Sequence, residues 1–216
     1  MTAILLPLLW AVVGAAGGWL VRWGSVRLGR LEGLEPGSLR WQVYGPPILS
    51  ALLLAIFAAE GRPFLSLAFR SLFVLVLVQV IFFDFEHRLI LDRVMFPSMV
   101  AALLLSFTGE PWFSGHDRWH GIATGVAAGL VFFLLALAGQ AIFKAEALGF
   151  GDVKLAMFMG FLLGPLPTAQ SLFYGIALAG IVAVGIVVRH RSMRGTIAYG
   201  PYLAAGALIV LYLLPQ

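Results

Sequence analysis

Cysteine is absent from all 216 residues, which excludes disulfides, a thiol nucleophile and cysteine-ligated zinc. Charge is scarce too: 11% of the residues are Asp, Glu, Lys or Arg, against about 25% in ordinary soluble domains. With 61% hydrophobic residues, too little polar surface remains to cover a soluble globule. A basic leader region is also missing. Met1-Thr2-Ala3 runs straight into apolar sequence, with no small-residue cleavage signature before Arg22, so the first segment reads as a retained span rather than a signal peptide. There is no internal repeat and no low-complexity tract. The net charge of +4 would suggest nucleic acid in a soluble protein. In so apolar a chain it reads as loop charge that fixes membrane topology, with no nucleic-acid partner.

What is present is a succession of apolar runs of about the length a bilayer requires, near 20 residues. The expected spans are Ala3–Val21, Pro46–Ala59, Phe64–Phe83, Leu89–Phe107, Gly121–Phe143, Val153–Gly164, Thr168–Val188 and Tyr199–Leu214. The second and sixth are short. The fold class expected is therefore all-α, a polytopic membrane protein of about eight transmembrane helices forming one domain over residues 1–216. Alternating sides gather Arg22, Arg27, Arg30, Arg40, Arg88, Arg93, Lys144, Lys154, Arg189, Arg191 and Arg194 on one face, against Arg62 and Arg118 on the other. The richer face reads as cytoplasmic, which puts both termini in the periplasm. The largest polar stretch on that face, residues 22–45, reads as a short cytoplasmic loop, too small to fold as a domain of its own. On the opposite side, Trp112, Phe113 and Trp119 read as an interfacial aromatic belt.

Only ten acidic residues occur, and most fall in loops where solvated charge is ordinary. Asp84, Glu86, Asp92 and Asp152 instead fall at span ends, where ionisable groups are costly and usually functional. Asp84 follows the apolar run that ends at Phe83, and on a helix Asp84 and Arg88 stand four residues apart, a spacing that permits an ion pair. Asp152 follows Gly149-Phe150-Gly151 and opens an apolar segment, so it also fits a plain helix cap. By the span count the two aspartates share one depth. Two carboxylates meeting there cannot both ionise cheaply. That is the arrangement in which one activates a water while its protonated partner polarises a carbonyl.

These residues resemble the type IV prepilin leader peptidases, membrane aspartyl proteases of the GxGD type, over roughly Val78 to Ala207. The resemblance rests on Asp84-Phe85-Glu86-His87-Arg88-Leu89-Ile90-Leu91-Asp92, on Gly149-Phe150-Gly151-Asp152-Val153-Lys154-Leu155, and on Gly200-Pro201-Tyr202-Leu203-Ala204. It implies a catalytic core of about residues 78–207 with Asp84 and Asp152 as the catalytic pair. Glu86, His87, Asp92 and Lys154 are motif neighbours, Gly149 and Gly151 supply backbone freedom, and Gly200-Pro201 breaks the backbone as the last span enters. Loops Lys144–Gly151 and Arg189–Tyr199 are the expected gate. The implied substrate is a prepilin or pseudopilin of a pilus, type II secretion or competence system, cut at the cytoplasmic face of the bacterial inner membrane. The implied proteolysis needs no metal and no cofactor.

Two departures stand out. Leu91 occupies a position where the family commonly has proline, which should alter the helix start rather than the chemistry. Bifunctional members also carry a zinc module with paired Cys-x-x-Cys ligands, associated with N-methylation by S-adenosylmethionine. Here residues 22–45 hold no cysteine, so S-adenosylmethionine enters only if a methyltransferase activity survives without that module. A competing class is an ion- or proton-coupled transporter using the same acids. Against it, no acid lies near the middle of a span, where transporters place their sites, and Arg70 is the lone mid-span charge. A third class is an idle scaffold for a secretion machine, against which both aspartates and the Gly-x-Gly-Asp stretch argue.

Overall fold

The computed structural model describes residues 2–61, 63–107, 118–143, 148–190 and 198–213. Among them every regular element is helical: α1 Thr2–Leu31, α2 Arg40–Ala59, α3 Phe64–His87, α4 Asp92–Phe107, α5 Arg118–Phe143, α6 Phe150–Leu163, α7 Pro165–His190 and α8 Gly200–Leu213. Five of these, α1, α2, α3, α5 and α7, are long and apolar enough to cross a membrane. With so much of their large hydrophobic surface exposed, this is a multi-pass membrane protein whose outer faces suit lipid. At 1.5 Å per residue, α4, α6 and α8 are only about 21–24 Å long, short of a hydrocarbon core of about 30 Å. Residues 108–117, which include Trp112 and Phe113 of the expected belt, lie outside the described residues, as do 144–147 and 191–197 of the expected gate loops.

The chain divides into two compact units, Met1–Val94 and Met95–Leu214. In the first, α1 lies along α2 and α3 packs on both. Glycine allows the close approach of α1 and α2: a Cβ on Gly14 would collide with the backbone at Ser50, and one on Gly18 with the backbone of Pro46 and Pro47. The diproline leaves two carbonyls of α2 without their usual N–H donors, a gap that membrane helices tolerate where a neighbouring helix packs against it. Between α1 and α3 a buried polar tether forms where Trp10 Nε1 donates to Ser71 Oγ at 2.9 Å. The Ser71 hydroxyl in turn donates to the Leu67 carbonyl at 2.7 Å.

One expectation is corrected here. Residues 22–45 are not mainly loop, because α1 continues through Leu31 and α2 already begins at Arg40. Arg22, Ser25 and Gly29 fall three and four residues apart and are the positions this extension buries, so a composition that looks polar is still periodic. Only Glu32–Leu39 joins the two helices, turning at Gly33 with φ 74°. A smaller correction concerns the fourth apolar run. Leu89, Ile90 and Leu91 are non-helical, and α4 starts at Asp92, with the Leu91 carbonyl accepting from Val94 N–H at 3.1 Å.

In the second unit α6 packs on α5, α7 and α8, and α7 packs on α8. Beyond Lys154, helix α6 is apolar all round and nearly all buried, as such a stretch must be. Its partner α5 presents Gly121, Gly125 and Gly129 on one stripe; a Cβ at Gly125 would strike the Phe161 ring, and one at Gly160 would strike the Gly125 backbone. Ser106 Oγ adds a hydrogen bond to the Phe161 carbonyl at 2.5 Å. Small residues set such contacts because lipid removes the hydrophobic drive between helices. Gly160→Val should therefore destabilise by about 1–3 kcal/mol through overpacking, read as a lowered midpoint of helical circular dichroism in detergent. Gly180, with open space around it, should accept alanine with a neutral or slightly stabilising effect.

Candidate active site

Helix α3 remains apolar up to Phe83 and then changes character within one turn. Asp84 is 5% exposed and sits in that last turn. The helix closes at Arg88, whose φ of 54° is the only left-handed non-glycine backbone among the described residues. The Arg88 N–H donates to the Asp84 carbonyl at 2.8 Å. This conformation costs roughly 1–2 kcal/mol for a residue with a Cβ and persists only where surrounding structure fixes it. That backbone bond links Asp84 and Arg88 across the i,i+4 spacing at the point where the chain leaves the helix.

Beside this turn the expected residues Glu86 and His87 join Arg22 and Gly37, which the expected site did not include. Arg22, on the extension of α1, meets Glu86 Oε2 through Nη1 at 2.6 Å, with side chains 10% and 3% exposed. The Arg22 Nη2 group also donates to the Gly37 carbonyl at 2.5 Å. Gly37 N–H returns a hydrogen bond to Glu86 Oε1, so guanidinium, carboxylate and peptide unit form a closed set. His87 Nε2 lies 3.3 Å from the same carboxylate, and its ring stacks at 4.6 Å from Phe83. Phe83 in turn packs close to Gly29 of α1. Removing one partner from so buried a pair costs about 3–5 kcal/mol. A Cβ on Gly37 would displace the far end of the Gln42 side chain, whose amide oxygen accepts from Leu39 N–H at 2.9 Å. Farther out, Arg93 meets Glu32 at 3.2 Å with both side chains about half exposed. That pair is worth at most about 1 kcal/mol. Asp92 is exposed in the first turn of α4, where negative charge suits the helix N-terminus.

In the second unit, Asp152 is 8% exposed in the first turn of α6. Its N–H donates to the Gly149 carbonyl at 3.0 Å. Lys154 Nζ stands 4.7 Å above the Phe96 ring, a cation–π distance. Phe150 is exposed, with its ring 6.1 Å from Phe133. Gly149 precedes this turn as its N-cap. Its φ of −75° and ψ of 148° are ordinary extended backbone, Gly151 has no positive φ, and a Cβ on Gly149 would meet Asp152 Oδ2 only at 3.6 Å. Gly200-Pro201 stands where the last helix begins, with the Tyr199 carbonyl accepting from Tyr202 and Leu203 N–H, each at 3.1 Å. Proline suits the first helical turn, where its missing N–H has no partner to lose.

Sequence reasoning missed Arg22 and Gly37 as members of the site. Arg22 was counted only as topological charge, and 64 residues separate it from Glu86. The one available signal was that each ends an apolar run with a charge of opposite sign. No cluster of three metal-ligating side chains forms among the described residues.

Comparison with known proteins adds a family. The type IV leader peptidase family matches residues 71–184, a stretch that holds Asp84, Glu86 and Asp152. The chain is 28% identical over 170 residues to a prepilin leader peptidase/N-methyltransferase of Bacillus subtilis (strain 168), covering 76% of this chain and 64% of that one. It is 28% identical over 195 residues to the Aeromonas hydrophila protein of the same description, covering 89% and 64%. Against the leader peptidase HopD of Escherichia coli, identity is 28% over 148 residues, covering 67% of this chain and 92% of that one. The chain thus spans less than two thirds of the first two relatives. No solved structure matches it.

The two glycine environments give a direct test. Gly149→Ala should shift thermal unfolding by less than about 1 kcal/mol, the scale of an N-cap change. Gly37→Ala should cost about 1–2 kcal/mol by pushing the Gln42 amide off its bond with Leu39 N–H. Equal shifts would contradict this account of the two sites.

Proposed function

The chain belongs to the type IV leader peptidase family, and on that premise we propose that it is an aspartyl endopeptidase that removes the leader from prepilin-like proteins, with Asp84 and Asp152 as its two catalytic carboxylates. The observation that carries this reading is their burial. Each is less than a tenth exposed, each occupies a terminal turn of an apolar helix, and both fall within the matched residues. Buried carboxylates at helix ends are held for chemistry more often than for stability.

In the proposed reaction one carboxylate takes a proton from water as its oxygen adds to the scissile carbonyl carbon. The other carboxyl gives its proton to the carbonyl oxygen, producing a neutral tetrahedral diol. On collapse the C–N bond breaks as the proton held by the first group passes to the departing amine, and the second group takes back a proton from one hydroxyl of the diol, leaving a carboxylic acid and restoring the pair. The matching family members of longer length are named for N-methylation as well. The eight residues Glu32–Leu39 between α1 and α2 offer no cysteine ligand, so no methyl-transfer step is carried to this chain.

The substrate would be held at the cytoplasmic boundary of the plasma membrane, in a topology of eight spans with both termini periplasmic. Two features support that depth. Trp19, Trp23, Trp41 and Tyr44 are exposed together on α1 and α2, the composition of a headgroup-level belt. Trp41 also stacks at 6.2 Å from Phe82, two residues before Asp84. Exposed Arg27, Arg30 and Arg40 continue beyond that belt, the charge bias of a cytoplasmic end.

Asp84→Asn and Asp152→Asn should each abolish leader cleavage while membrane insertion and helical content persist. The double variant should be no worse than either single one, since a pair acts as a unit. A mobility-shift assay on a purified prepilin reads this, and more than a few per cent residual activity in either single variant rejects the pair. Topology is tested separately by impermeant maleimide on the naturally cysteine-free chain. Phe150→Cys should label only from the cytoplasmic side, and Trp119→Cys only from outside. Reversed labelling would overturn the topology and the proposed location of cleavage with it.

A further inference from the structure

We infer that Arg22 and Glu86 are positioning residues: the Arg22–Glu86–Gly37 cluster holds the final turn of α3 in helical register and thereby sets Asp84. The role rests on the reading of Asp84 as a catalytic carboxylate, while the clamp itself rests on contacts within the first unit alone.

A helix end with no partner frays over its last turn, and Asp84 lies in that turn. The chain then leaves the helix through a left-handed residue, Arg88, a conformation that needs outside support. Support comes from Glu86. It stands two residues from Asp84, on the opposite side of the helix, so it can be gripped without obstructing Asp84. Its carboxylate is fixed by two donors that belong to different parts of the chain, the Arg22 guanidinium on α1 and Gly37 N–H in the following turn. Arg22 is itself fixed by the Gly37 carbonyl, and Gly37 is seated against Gln42 of α2. All three helices of the unit therefore converge on one carboxylate. A planar guanidinium can address Glu86 and Gly37 at once, where an ammonium offers only a point charge.

Such a clamp acts on rate rather than on substrate affinity, because it sets the position of a reacting group. A simple stabilising contact would instead loosen the whole unit when lost. The test uses the full chain in detergent micelles and exploits the absence of native cysteine. Asp84→Cys reports the helix end, and Leu77→Cys, fully buried mid-helix, reports the unit's core; each is treated with an impermeant methanethiosulfonate. Adding Arg22→Gln or Glu86→Gln should speed modification at position 84 at least tenfold and leave position 77 within twofold. Arg22→Lys should fall between wild type and Arg22→Gln. In a prepilin cleavage assay on the otherwise native chain, Arg22→Gln should lower kcat at least tenfold with KM within twofold.

Unchanged labelling at position 84, or equal acceleration at 84 and 77, overturns the clamp. Faster labelling at 84 alone with unchanged kcat overturns its catalytic role. Cleavage by Asp84→Asn protein would instead reject the peptidase assignment, and the labelling result would stand regardless.

Discussion

A charge removed from water and set against apolar helices costs several kcal/mol unless hydrogen bonds and opposite charge replace its hydration. In a chain with ten acids, that constraint governs the local structure wherever an acid is buried. Glu86 meets it by recruiting Arg22 and a peptide N–H, and the requirement reaches outward from there. Arg22 must be presented on a rigid support, so α1 stays helical past the apolar stretch. Gly37 must bring its peptide unit to both partners, so the connection to α2 is short and folded back. Exposed Arg93 and Glu32 carry no such requirement, and their pairing organises little around it.

The remaining architecture follows from packing without a hydrophobic drive. In lipid, helices gain from close contact and hydrogen bonds rather than from expelling water. The glycine contacts between α1 and α2, α5 and α6, and α7 and α8 are the means of that approach. They also explain how so short a helix as α6 holds its place. Apolar on every side beyond Lys154, it is stabilised by what surrounds it, with Ser106 bonded to its last turn and the Gly164–Pro165 step turning the chain directly into α7.

The helices were legible in the sequence because apolar runs of membrane length are a strong signal, and each expected span corresponds to one helix. Their ends were less legible. Residues 22–31 look like loop by composition, yet Arg22, Ser25 and Gly29 keep the helical phase. Leu89–Leu91 look like span by composition, yet the chain turns there at Arg88. The acids at helix ends were visible, since each interrupts an apolar run. Their supports were not. Gly37 acts through its backbone, which no side-chain pattern records, and Arg22 resembles any other topological arginine until the fold brings it to Glu86.

Gly14, Gly18, Arg22, Ser25 and Gly29 recur every three or four residues along α1, so one stripe of that helix carries both the contact with α2 and the arginine that grips Glu86. Bilayer packing and ion pairing are thus written in a single angular phase. Adding or deleting one residue between Gly18 and Arg22 would rotate everything beyond it by about 100°, carrying the guanidinium to the lipid-facing side. Sequence drift in α1 is therefore confined to substitutions and to length changes close to whole turns. The exposed bend at Gly33, outside that phase, remains a place where additional chain can be accommodated.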